Sequence, residues 1–326
     1  MNEFKNSLYN VAVQIAGLNK GSKKAEQNAQ GQLVLIDNYT MNAPILKGMP
    51  FQRSSHAYHH AYGDIVNVKG MQIIDFDSSL PLMSVDAQLN HVSLTPMGGE
   101  IQFGEDTMLQ THGSPEAYLS AKIPAILRGS GAALERSFYI NNFLTTAINY
   151  GTAMSTNATV TTDNDTMVAI TWTPDEMTGL HSLLPYEQEN SYGQLFRPEW
   201  ANNKSRHKLQ SGIYGYAATV KMLIGLLLAN KKKISALVNI TDTPSPNQLA
   251  ALVNAAQGSN ATRIYCSARL KTALAAKYAQ TMQGNGLVSV SNVGEISILG
   301  IPVVSSHNIP TNVGYIKNIP FIKTGN

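Results

Sequence analysis

The chain has 326 residues, a single cysteine and 14% charged residues, where soluble domains carry roughly 25%. That length allows two domains or one core with long excursions. Cys266 alone excludes an intrachain disulfide and a thiolate metal cluster, and the longest apolar run, near 222–229, falls far short of a membrane span.

The net charge of +3 conceals a split. Residues 1–196 hold 10 Lys/Arg and 18 Asp/Glu, and residues 197–326 hold 14 and 3, so the two parts carry −8 and +11. Opposite signs attract within a subunit or between neighbours and orient their encounters. The Lys and Arg are scattered and lack the aromatic interleaving of a single-strand groove, which limits any nucleic-acid contact to non-specific electrostatics. Asn, Gln, Ser and Thr fill the charge deficit. Such a surface is easily desolvated and suits a protein that buries much of its outside against copies of itself.

In chain order, MNEFKNSLYN lacks the basic-then-apolar order of a signal peptide, so a product of the reducing cytosol is expected. Residues 1–50 read as an arm. Val11, Val13 and Ile15 alternate, 17–31 has no period that could bury a face, and Gln32–Ile36 is apolar again. A segment of this kind is ordered by lying on something else. Residues 51–112 read as extended structure, with turns expected at Lys69-Gly70 and at Pro96-Met97-Gly98-Gly99. Their apolar content is thin for an independent sheet, so they are expected to pack on a partner.

Ser114-Pro115-Glu116 starts a helix with a capping hydroxyl, Pro at its first position and an acid in its first turn. Leu119, Ile123, Leu127, Leu134 and Phe138 continue it at helical spacing towards Gly151, roughly 50 Å if unbroken. Pro124 and Gly129-Ser130-Gly131 are expected to bend or break it. A Thr/Asn/Ser-rich loop follows at 152–162, then a strand at Met167–Trp172, a turn and return, and an irregular stretch over 186–210. Periodicity leaves 216–229 open between strand and helix, and the turn-like Asn230-Lys231-Lys232-Lys233 tips it towards sheet. Ser245-Pro246-Asn247-Gln248 is a capping box.

The unit 262–310 runs strand, helix, hairpin, strand. Ser267 caps a helix striped by Leu270, Ala273, Leu274 and Tyr278, and Pro302 argues that the last strand lies at an edge or carries a bulge.

Chemistry is sparse. His56, His59 and His60 would share one face of a helix and could hold a metal for a hydrolase, but no carboxylate or Cys at ligand spacing joins them. A polar patch is the blander reading. Ser305-Ser306-His307 puts hydroxyl beside imidazole in sequence, whereas catalytic partners meet in space from separated positions. Residues 17–23 miss the spacing of a phosphate loop, and Asp163-Asn164-Asp165 lacks the glycine and distal Glu of a calcium loop. Glu116, Glu135, Asp175 and Glu176 show no acid–base pairing. Cys266 lies in an apolar run and reads as a packing residue. No catalytic, cofactor-binding or metal-binding residue is assigned, and the chain does not read as an enzyme.

Five stretches carry a family resemblance: LTPMGGEIQFGEDTML (94–109), MVAITWTPDEMTGL (167–180), IGLLLANKKKISALVNI (224–240), TRIYCSARLKTALAAKY (262–278) and ISILGIPVVSSHNIP (296–310). In this order, after an arm and an extended excursion, they resemble the major capsid proteins of tailed bacteriophages, the Hong Kong phage fold, in the short form without a fused scaffolding segment. The resemblance implies an α+β fold with an N-terminal arm (1–50), an extended E-loop region (51–112), a peripheral domain with a spine helix (113–211), an axial domain (212–305) and a C-terminal return (306–326). It also implies hexamers and pentamers of this chain in an icosahedral virion shell assembled in the bacterial cytoplasm. A portal, a separate scaffolding protein, a decoration or cement protein and packaged double-stranded DNA would be further partners, with no membrane. An encapsulin-type compartment shell is the alternative within the fold.

Overall fold

The computed structural model describes residues 35–74, 79–155, 164–182, 197–279, 287–291 and 295–311. The expected arm up to residue 34 and the glycine-rich 17–23 stretch lie outside them, as do 186–196 and the Gly284–Gly286 helix stop.

A seven-stranded sheet holds the main core. Its strands run in the order Val288–Val290, Ile296–Ile298, Ile301–Ser305, Thr262–Cys266, Asp165–Thr171, Ile234–Ile240 and Ala153–Ser155. Every residue of Asp165–Thr171 and Ile234–Ile240 is buried. The pleat divides them: Val168 and Ile170 face one apolar cluster, Met167 and Ala169 another. Burial on both faces explains why these strands are mostly apolar, with Met167–Ile170 an unbroken run. One face is covered by the helices Pro246–Ala255 and Ala268–Ala279 through Leu249, Leu252, Leu270 and Leu274. The other is covered by the long helix, through Tyr139, Phe143 and Leu144.

The expected caps form. Ser114 accepts from the Ala117 amide, Ser245 and Gln248 complete their box, and Ser267 Oγ accepts from the Leu270 amide at 3.0 Å. The Pro246 helix ends in a Schellman turn, with the Gly258 amide on the Val253 carbonyl, and its left-handed residue is Gln257 at φ 51°.

The expected helix break does not occur. The helix Pro115–Ser137 runs through Pro124 and the Gly-Ser-Gly triplet, passes into a π-helical stretch at Phe138–Leu144, and finishes as Thr145–Asn149. Pro124 leaves the carbonyl of Ser120 without a helix donor, but Ser120 is exposed and water can serve it. Gly131 has a packing reason instead. A Cβ there would sit 1.9 Å from the Tyr39 carbonyl oxygen, so glycine lets the 35–40 segment cross the helix at contact distance. That segment is not peripheral: Ile36, Tyr39, Ala43, Ile45, Leu46 and Met49 are all buried in the main core.

A second sheet of six strands is organised by Tyr214–Leu228, so the open stretch 216–229 is strand as far as Leu228. One of its edges pairs antiparallel with Thr95–Gly104. The other is shared in succession by His207–Lys208, Arg197–Trp200 and Met177–Ser182, and Phe51–Arg53 runs parallel beyond. Thr95–Gly104 contains Pro96, Gly98 and Gly99, so the expected turn there is an uninterrupted strand. At Gly98 a Cβ would lie 2.6 Å from the Val220 carbonyl; the glycine serves close strand approach.

Pro302 is also placed differently from expectation, since Ile301–Ser305 is an interior strand of the seven-stranded sheet. Locally, however, Pro302 is registered only with Ser297, and pairing to Thr262–Cys266 begins one residue later at Val303. Its missing amide falls where one neighbour has not yet begun.

Candidate assembly surface

The strands His59–Lys69 and Ser84–Ser93 form a two-stranded antiparallel hairpin of their own, registered from His59↔Ser93 to Lys69↔Ser84. The expected turn at Lys69-Gly70 is therefore not a tight one, since the pairing ends at Lys69↔Ser84 and 14 residues, 70–83, separate the two strands. The hairpin is anchored at its base, where Leu94 packs with Leu180, Leu223 and Leu227, and Tyr62 and Val92 lean on them. The Leu94 amide donates to the Tyr58 carbonyl at 2.9 Å. Beyond this base the hairpin faces solvent. At its tip Met71, Ile73, Leu80 and Leu82 are 83 to 105% exposed, and Val68, Met83, Val85 and Leu89 add to the same apolar surface.

An isolated hairpin is marginal in water, and a soluble monomer rarely displays this much contiguous apolar surface without a use for it. The arrangement suits contact with another molecule.

A second surface lies along Thr95–Gly104, the end strand of the six-stranded sheet. Residues 97–102 and Ile123, Ile126 and Leu127 of the long helix line a groove of about 400 Å³. Tyr39 contributes to the lining and donates its hydroxyl to Met97 Sδ at 3.6 Å.

The histidines do not converge as they would on a helix. His59 and His60 are adjacent on a strand and so point to opposite faces. His56 stacks on His59 at 4.2 Å between centroids, and His91 meets His59 edge-on at 5.5 Å. His60 is held elsewhere: its Nδ1 accepts from the Ser55 amide at 3.2 Å and its Nε2 lies 3.3 Å from the Gln52 amide nitrogen. Among the described residues no three His, Cys, Asp or Glu side chains gather as a metal site.

The other candidates have structural roles. Ser306 is buried and donates to Glu135 Oε1 at 2.6 Å, while His307 is exposed. Asp165 opens a strand, accepts from Ser267 Oγ at 2.8 Å and pairs with Arg269, fixing the start of the Ala268–Ala279 helix against the sheet. Glu176 pairs with Lys233, whose ammonium holds its carboxyl below the usual range. Cys266 is buried, and burial pushes its thiol up to about 12, far from a nucleophile's range.

Sequence reasoning weighed Glu135 for acid–base pairing and missed its burial. It is fully buried on the long helix, its Oε2 makes no hydrogen bond, and burial pushes its carboxyl up to about 7. A signal existed: Leu127, Gly131 and Glu135 recur every four residues on the buried face. His181 was passed over. Burial, with Arg53 nearby, lowers it to about 4.

No family model matches the chain, and no curated protein sequence does. Solved structures do. The bacteriophage JBD30 capsid matches with a TM-score of 0.53 at 8% identity, covering 83% of this chain and 92% of its own. Bacteriophage Epsilon15 matches with a TM-score of 0.52 at 12% identity, covering 80% and 86%. This is the Hong Kong phage capsid fold. A holo-encapsulin complex from Synechococcus elongatus overlays 59% of the chain at 7% identity with a TM-score of 0.40. Among the described residues, the apolar hairpin and the groove between the sheet and the long helix are two surfaces that the body of the subunit leaves open.

Proposed function

We propose that this chain is the major capsid protein of a tailed bacteriophage, and that copies of it assemble into the icosahedral head shell around a double-stranded DNA genome. One observation carries the reading: a subunit with the capsid fold and a complete core of its own projects a hairpin whose tip is apolar and solvent-exposed. Closed symmetric shells cover such surfaces on every copy. The subunit then acts through interfaces and not through catalysis.

On this reading 51–112 holds the E-loop, which reaches over a neighbouring subunit. The peripheral region is 113–211 with 115–149 as its spine, the axial region is 212–305, 306–326 returns to the periphery, and of the expected arm 1–50 the part from Ile36 to Met49 belongs to the subunit core, leaving the residues before it as the arm. The seven-stranded sheet ties regions together, since Asp165–Thr171 pairs directly with Ile234–Ile240 and Thr262–Cys266. Hexamers and pentamers, a portal, a separate scaffolding protein and a decoration protein complete the particle. The basic 197–326 half meets packaged DNA without reading sequence.

Negative-stain electron microscopy of the purified protein, or of lysate enriched in it, tests this. Hollow particles with icosahedral outlines are expected. A monodisperse monomer at high concentration that never forms hollow particles would refute it.

A further inference from the structure

We propose that Glu135 is a proton-operated latch for the segment Ser306–Ile309: as a neutral acid it holds the segment on the long helix, and its ionisation lets the segment lift away. The inference concerns the single subunit and stands or falls independently of the shell reading.

The carboxyl lies where the long helix, the short helix Pro44–Gly48, the strand Thr262–Cys266 and the 306–309 segment meet. Glu135 is fully buried, and Ser306 Oγ donates to its Oε1 at 2.6 Å. The Ser306 hydroxyl in turn accepts from the Asn308 amide at 3.1 Å, and Asn308 Nδ2 donates to the Asn42 carbonyl at 2.7 Å. The Ile45 backbone faces the carboxyl from the short helix. Tyr265 closes the site from the strand, its ring 6.4 Å from that of Tyr139.

None of these elements brings a charge to balance a carboxylate. The titratable groups that act on Glu135 are the phenols of Tyr139 and Tyr265. Lys47, Arg136 and His307 sit on the same elements but are exposed, and Arg263 donates to the Asn260 and Thr262 carbonyls. Among the described residues Glu135 forms no ion pair. Its Oε2 has no hydrogen-bond partner, and the buried Tyr139 hydroxyl, one turn on, has none either. A proton on Oε2 removes the unpaired charge and gives these buried oxygens a further donor. Without it a buried anion remains, which hydrogen bonds from neutral groups offset only in part.

The 306–309 segment is the least anchored of the pieces around the carboxyl. The long helix is fixed by Phe138, Phe143 and Leu144 in the main core, and Thr262–Cys266 is paired on both sides. Sheet pairing of the last strand stops at Ser305, opposite Cys266. Beyond it the segment is tied by the Ser306 amide on the Cys266 carbonyl, the Ser306 and Asn308 side chains, and buried Ile309. Segments with few such ties open first. Opening gives Glu135 water and returns its carboxyl from about 7 to the ordinary 4.5. Between those values the open form holds fewer protons than the closed one. Opening therefore becomes about tenfold more favourable per pH unit from 4.5 to 7, roughly 300-fold in all, and then levels off.

Hydrogen–deuterium exchange of the unassembled full-length subunit, read by mass spectrometry from pH 4.5 to 8.5, tests the latch. Rates are divided by those of an unstructured chain at the same pH, and Ile234–Ile240 reports global unfolding. Opening of 306–309 should rise roughly 300-fold from pH 4.5 to 7 and stay level to pH 8.5, without a matching rise in the control. Glu135→Gln is neutral at every pH and keeps a donor, so it should abolish the rise. A flat profile in the parent overturns the latch, as does one that tracks the control or a rise that survives in Glu135→Gln. Should Glu135→Gln fail to fold, Ser306→Ala decides: faster exchange of 306–309 at pH 4.5, with the rise retained, supports the latch, and unchanged exchange at pH 4.5 overturns it.

Discussion

Replacing Met71, Ile73, Leu80 and Leu82 together with serine separates assembly from folding. All four are nearly or fully exposed in the subunit, so their removal takes no apolar contact from its core. Fully covering such a side chain contributes about 1.5–3 kcal/mol, roughly 6–12 kcal/mol for four, and about half that if only one face is covered. At 1.4 kcal/mol per factor of ten, the lower range of roughly 3–6 kcal/mol weakens each hairpin contact by about two to four orders of magnitude. Light scattering against protein concentration reads the assembly threshold, and circular dichroism reads the melting temperature of the unassembled subunit. The threshold should rise steeply while the melting temperature stays within a degree or two. An unchanged threshold refutes the assignment of the tip to an interface, and a melting temperature lowered by many degrees places the tip in the subunit's own core.

The two glycines of the Gly129-Ser130-Gly131 triplet should respond with opposite signs in chemical denaturation. Gly131→Ala must push the Tyr39 carbonyl away and should destabilise by about 1–3 kcal/mol, whereas Gly129→Ala meets nothing within 4 Å and should stabilise by up to about 1 kcal/mol. Two buried groups give the subunit opposed pH dependences. The folded-state pKa of Glu135 is raised to about 7, so its contribution is intact at low pH and is lost as pH climbs from about 4.5 to about 7; that of His181 is lowered to about 4, so stability is lost as pH falls from about 6.5 to about 4. Each amounts to roughly 3 kcal/mol at 1.36 kcal/mol per pKa unit. Glu135→Gln should therefore gain stability over the parent at pH 8 relative to pH 4.5 in urea denaturation; a flat difference between those pH values contradicts it. Removing residues 1–30 should leave the subunit folded, since Ile36, Tyr39, Ile45 and Leu46 keep their places in the core, and should impair particle formation seen by microscopy.

Local chemistry was legible wherever one segment decided the outcome. Ser114, Ser245 and Ser267 are caps because a hydroxyl next to a helix start has few competing uses. The apolar run Met167–Ile170 and the mostly apolar 234–240 were visible because a sheet covered on both sides asks for apolar residues at most positions. What could not be read is what depends on a distant partner. Gly98 and Gly99 carry a turn signal, but the close approach of Tyr214–Leu228 makes them strand. Gly131 carries a helix-breaking signal, but the crossing of Tyr39 gives it a packing role within an unbroken helix. Pro302 sits in an interior strand because its two neighbours pair with different parts of that strand. The three histidines would converge only on a helix, and strand pairing with 84–93 sends His59 and His60 apart.

The division of apolar residues explains why a chain so poor in charge remains a folded subunit. The seven-stranded sheet is covered on both faces from within the same chain, and the 35–50 segment closes the core against the long helix. Folding is thus complete without a neighbour. The apolar residues left over are concentrated on a thin hairpin that has no second layer of its own and cannot bury them by bending back, because its strands hold it away from the body. On the shell reading, copies of the chain bury them against one another. On that reading folding and assembly draw on separate sets of side chains, so sequence changes in the exposed hairpin residues can tune the strength of the shell while the subunit core stays constant.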